Sequence, residues 1–154
     1  MHAHTYKDEA TLTKSRTVAR KVLTQAATTY AEAYRRNGGY WTGINAATTA
    51  LLIGRTAAAR RLASAVHDSC LQELKRARAD KYWLYATLGE AALVHRDSEE
   101  AREWYAKARA VAGKRYGDLQ SSRRNARLLL AHWKLDSREI EECLTIPGDI
   151  AFAG

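Results

Sequence analysis

The chain has 154 residues, 46% of them hydrophobic and 27% charged, a length and balance that suit one globular domain and exclude a disordered chain. Its formal net charge is +8, but the signs are mixed along most of the sequence, so a solvated basic surface explains the excess at least as well as an anionic partner does. No apolar stretch is long enough to cross a bilayer, and Met1-His2-Ala3-His4-Thr5 lacks the apolar centre of a secretion signal.

Residues 1–13 are expected to form a flexible segment. Lys14 to Arg36 reads as one long helix, because Val18, Val22, Leu23, Ala26, Tyr30 and Ala33 recur at three- and four-residue steps and make one apolar stripe. Asn37-Gly38-Gly39 stops it. A second helix is expected from Thr42 to Ile53, ending at Gly54, and a third from Thr56 to about Ala79. Asp80 is placed to cap a fourth, Lys81 to His95. The turn Asp97-Ser98-Glu99-Glu100 starts a fifth that ends near Gly113. Gly117-Asp118 starts a sixth that runs to about Leu135, and Asp136-Ser137-Arg138-Glu139 opens a short last turn. No strand pattern occurs before Ile146 to Phe152. The single proline, Pro147, lies beyond all of these helices.

The connections are short, so neighbouring helices should pair antiparallel. A repeat pattern then argues for stacking. In Tyr82 to Arg115, Tyr85 takes the large position of a tetratricopeptide unit, Leu88-Gly89 the small-residue pair, and Ala101, Tyr105 and Ala108 the set on its second helix. The physical reason is packing: Gly89, Ala101 and Ala108 let the two helices cross closely, and Tyr105 fills the gap. Tyr40 to Val66 is a weaker copy, with Tyr40-Trp41 matching Tyr82-Trp83, Ala46-Ala47 as the small pair, and Ala59, Ala63 and Val66 opposite. The expected fold is all-α: antiparallel helical hairpins stacked as a short tetratricopeptide-like α-solenoid over 14–145, with the first and sixth helices as caps and 146–154 as a tail.

Residues three and four apart share a helix face. Trp41, Asn45 and Thr48 therefore fall together on one helix, and Trp83, Thr87 and Glu90 on another, with Tyr82 and Ala86 at the margin. Paired tryptophans suit a flat ligand, although packing between helices explains them equally well. Arg123, Arg124 and Arg127 on the sixth helix are candidates for a phosphate or carboxylate, one or two of them facing the same groove. Arg55, Arg60 and Arg61 are expected on the outer side. His67 and Cys70 lack a second ligand pair, so no metal site is expected, and His95 suits a helix end. No phosphate loop, nucleophile elbow or dinucleotide fingerprint is present, so neither an enzyme nor a cofactor is expected. Cys70 and Cys143 lie far apart and read as reduced thiols of a cytoplasmic protein.

Three segments together resemble the tetratricopeptide-repeat sensor (TPR-S) domain: Gly39-Tyr40-Trp41-Thr42-Gly43-Ile44-Asn45-Ala46-Ala47-Thr48, Tyr82-Trp83-Leu84-Tyr85-Ala86-Thr87-Leu88-Gly89-Glu90-Ala91, and Ala101-Arg102-Glu103-Trp104-Tyr105. That domain is similar to the TRAFs-binding central regulatory region of apoptosis signal-regulating kinases. The resemblance covers roughly Val18 to Gly154 and implies a sensor or adaptor in stress or defence signalling, with a nucleotide-derived ligand. Its motif points to Tyr40, Gly43, Asn45, Thr48, Tyr82, Trp83 and Glu90. It also likens Ile146 to Gly154 to the entry strand of a following domain, which would put any fused effector outside this sequence. The competing expectation is a scaffold whose groove takes a peptide or a partner subunit, with a homo-oligomer left open. An enzyme using Glu90 and an arginine ranks below both. Nucleic acid ranks last, because the basic residues are not interleaved with aromatics along one face.

Overall fold

The computed structural model describes residues 3–147, with side chains from residue 14 onward. These residues form seven helices packed against one another and no strand: α1 (Ala3–Asn37), α2 (Tyr40–Leu52), α3 (Thr56–Glu73), α4 (Lys81–Val94), α5 (Ser98–Ala112), α6 (Tyr116–Trp133) and α7 (Arg138–Cys143). No described helix is long and apolar enough to cross a membrane. The all-α expectation holds, with shifted boundaries. α1 begins at Ala3, so helix occupies most of the stretch expected to be flexible. α2 starts at Tyr40, directly after Gly38 and Gly39 take φ values of +64° and +91°, a backbone that glycine adopts without strain. α3 stops at Glu73, and a turn carries the chain to Asp80. Most of the tail lies outside the described residues; Ile146 is buried.

Side-chain caps sit where expected. Asp80 accepts from the Trp83 N–H (3.4 Å), and Asp97 accepts from the Glu100 N–H (3.0 Å). α6 ends on Lys134 in the left-handed conformation. The three-residue links 53–55, 95–97 and 113–115 span at most about 10 Å, whereas helices of this size are about 20 Å long, so contacting neighbours must run antiparallel.

α4 is the centre of the molecule. It is mostly apolar and buried: its residues from Leu84 to Val94 are all buried apart from Tyr85, with Thr87 and Glu90 the polar ones among them. It packs against α2, α3, α5 and α6; α2 also touches α1, α3 and α6, and α7 packs on α5. Gly89 explains the closeness of α4 and α5: a Cβ there would lie 2.9 Å from three atoms of the Tyr105 ring. Gly43 does the same in α2, where a Cβ would meet Val66 at 2.5 Å and Tyr34 at 2.9 Å. Tyr85 stacks on Trp104 (6.0 Å between ring centres), and the Trp133 indole N–H donates to the Leu93 carbonyl (2.8 Å), tying the end of α6 to the end of α4. Arg60 lies over the ring of Trp133.

Candidate functional site

α2, α4 and α6 enclose one polar cleft of about 270 Å³. Trp41, Ile44 and Asn45 line it from α2, Trp83, Ala86, Thr87 and Glu90 from α4, and Ser121, Ser122, Arg124 and Asn125 from α6. The side-chain period brings this about: residues of one helix face repeat at three- and four-residue steps, and each of the three helices turns such a face toward the others.

Glu90 lies at the floor. It is 7% exposed, and two side chains from the flanking helices hold it. The Thr48 hydroxyl donates to its Oε2 (2.6 Å), and the Asn125 amide donates to its Oε1 (3.3 Å). Among the described residues no cation pairs with it. Burial pushes the carboxyl up to about 7, against the pull of those two hydrogen bonds. Behind it, the Tyr105 hydroxyl is buried without a hydrogen-bond partner among the described residues, and burial followed by the nearby Glu90 raises its pKa well above the usual value.

Trp41 stands at the mouth, 59% exposed, with Tyr30 edge-on to its ring at 5.8 Å. Trp83 is half-buried, edge-on to Tyr82 at 5.2 Å. Asn45 donates its amide to the Trp41 carbonyl (2.9 Å), which answers how a polar side chain sits among small apolar residues of a helix. Arg124 lines the rim, exposed and without an ion-pair or hydrogen-bond partner among the described residues.

Other expected residues lie elsewhere. Arg123 and Arg127 do not line the cleft: both pair with Glu141 of α7 and border a neighbouring shallow groove. The Ser137 hydroxyl and then the two arginines hold the Glu141 carboxyl below its usual range. Of the three candidate arginines, then, Arg124 alone faces the cleft. Tyr82 is buried behind the wall, its hydroxyl 2.7 Å from that of Ser122 and its ring under the Arg115 guanidinium. Arg115 also makes a two-pronged bond to Asp80 (2.9 and 3.2 Å), joining the starts of α4 and α6. Tyr40 is half-buried against the core and does not open into the cleft; burial and then Asp80 raise its hydroxyl pKa. Thr48 acts from beneath, through Glu90.

Ile44, Ser121, Ser122 and Asn125 complete the cleft without having been singled out from sequence. Asn125 carries a signal of its own in the sequence: asparagine is a poor helix former, and this one stands in the middle of a helix. A second hollow, of about 290 Å³, gathers Ser64 and His67 of α3 with His95 and Glu100. There Ser64 bonds His95 (3.1 Å) and His67 lies 3.7 Å from Glu100, while Cys70 is buried away from it with its thiol pushed up to about 12.

Comparison with protein families, with curated proteins and with solved structures finds no match to this chain. What the fold and the site define is a class: an all-helical protein with an open polar cleft, aromatic at the mouth and acidic at the floor.

Proposed function

We propose that this protein is a regulatory sensor or adaptor domain that binds a small, nucleotide-derived ligand in the α2–α4–α6 cleft, as part of stress or defence signalling. In this reading the helices form a short tetratricopeptide-like solenoid of the TPR-S type. The contacts favour that arrangement: α2 touches α4 and α4 touches α6, as the first helices of successive hairpins would in a stack. One observation carries the ligand reading. Glu90 is a buried acid with no cationic partner among the described residues, set at the floor of a cleft open to solvent. Such a group destabilises the empty protein, and a ligand that hydrogen-bonds to it offsets the loss. The tryptophans supply ring faces, and Arg124 supplies a charge for a phosphate.

Titration calorimetry with ADP-ribose, cyclic nucleotides and NAD derivatives tests the proposal. Saturable heat that disappears in Trp83→Ala is expected. Silence from every nucleotide, with the protein shown to be folded, would count against it. A second reading, a scaffold for a peptide or partner subunit, draws on the exposure of Trp41 together with Val18 and Val22 of α1. Capture of a protein partner that survives Glu90→Gln but not Trp41→Ala would favour it.

A further inference from the structure

Around Glu90 the side chains leave hydrogen-bond acceptors free, beside the hydroxyls of Thr87 and Ser121, which accept or donate. A carboxylate accepts and does not donate, so Asn125 must turn its NH₂ toward Glu90, which leaves the Asn125 carbonyl oxygen and one N–H for other partners. A backbone carbonyl likewise accepts, so Asn45 must turn its NH₂ to the Trp41 carbonyl, which leaves the Asn45 oxygen and one N–H free. Glu90 takes one donor on each oxygen, and each oxygen keeps a further lone pair. The Glu90 carboxylate therefore remains a two-oxygen acceptor at the deep end of the cleft, and the rim carries Arg124, a cation without a partner among the described residues.

A complementary ligand has hydrogen-bond donors at one end and an anion at the other. A flat ring between them would meet Trp41 and Trp83. A guanidinium or polyamine meets the acceptors but not the rim charge. Adenine places a ring-nitrogen acceptor beside its amino group, and that acceptor would face a carboxylate lone pair. Guanine places a ring N–H beside an amino group, two parallel donors that match the two oxygens of one carboxylate. The volume agrees: about 270 Å³ is near the lower end of ligand pockets, roughly 300 Å³ upward, and suits a base with the phosphates left outside at the rim.

We infer that the cleft selects guanine nucleotides, with Glu90 the specificity-determining residue that pairs with the N–H and NH₂ edge of the base. This rests on the proposal that the cleft binds a nucleotide, and goes on to name its base.

The test is calorimetry at pH 8, where the Glu90 carboxyl is ionised, of GDP, IDP and ADP against the folded protein and against Glu90→Gln. IDP lacks the amino group, so wild type should bind it about ten-fold or more weaker than GDP, the effect of removing one hydrogen bond to a charged group. ADP should also bind more weakly than GDP. Glutamine offers one acceptor and one donor, so Glu90→Gln should lose the preference for GDP and shift it toward ADP. If wild type binds GDP, IDP and ADP alike, or if Glu90→Gln binds them in unchanged ratio, base selection by Glu90 is overturned and the nucleotide cleft stands. If no nucleotide binds, the proposed function falls and this inference with it. Should Glu90→Gln fail to fold, the GDP-to-IDP ratio in wild type still decides the matter.

Discussion

Glu90 is the residue on which most consequences turn. Its carboxyl is raised from 4.5 to about 7, so between those values the folded protein holds more protons than the unfolded chain. The sign follows: stability falls as pH rises through that window, and the loss is complete above it. The cost at pH 8 reaches on the order of 3 kcal/mol, less whatever the water in the open cleft screens. Glu90→Gln removes the charge and keeps the shape, so it should melt higher than wild type at pH 8, with the gain shrinking toward pH 5. Melting curves at the two pH values check this, and an equal gain at both would sink the account. Tyr105 gives a second case. Its hydroxyl is buried without a partner, so Tyr105→Phe should cost nothing and raise stability by roughly 0–1 kcal/mol in a urea titration. A loss of stability would mean that the hydroxyl has a hydrogen-bond partner. Neither environment shows at the residue itself: the sequence marks Glu90 as lying on a face shared with Trp83, but says nothing of how deeply it is buried.

At the scale of elements, α4 and α5 were legible in advance. Leu88-Gly89 and Ala101, Tyr105 and Ala108 predict a close crossing with a tyrosine in the gap, and Gly89 does lie against the Tyr105 ring. Gly89→Ala sets two effects against each other. Alanine favours a helix over glycine by about 1 kcal/mol, whereas an added methyl in a filled core costs roughly 1–3 kcal/mol. The new Cβ would sit 2.9 Å from ring atoms, too close to absorb, so the variant should be destabilised. Gly117→Ala in α6 is the control, since nothing lies within 4 Å of a Cβ there, and it should be neutral or slightly stabilising. Comparison of the two urea midpoints tests the pairing. Element ends were less legible. α3 stops short of Ala79, and α1 starts ahead of Lys14; α1 also carries the apolar positions Val18 and Val22 into solvent, so periodicity there marks helix without marking burial.

At the scale of the molecule, a connected core from Ile44 to Ile146 has α4 at its centre, while residues 14–22 of α1 are all exposed. Native-state amide exchange should therefore be slowest in α4 and fastest along that part of α1. Equal protection in the two would contradict the packing described here. By itself the sequence determined that the chain is all-α, roughly where the helices lie, and which face of α2 and α4 carries Trp41, Asn45, Trp83 and Glu90. These properties follow from neighbours three or four positions away, a distance the helical period spans. Tertiary structure alone decided that Thr48 and Asn125, 42 and 35 residues from Glu90, meet on its carboxyl. It also decided that Glu141 occupies Arg123 and Arg127 while Arg124 is left at the rim. Such meetings depend on the offset at which one helix stacks on the next, and no period within a single helix encodes that offset.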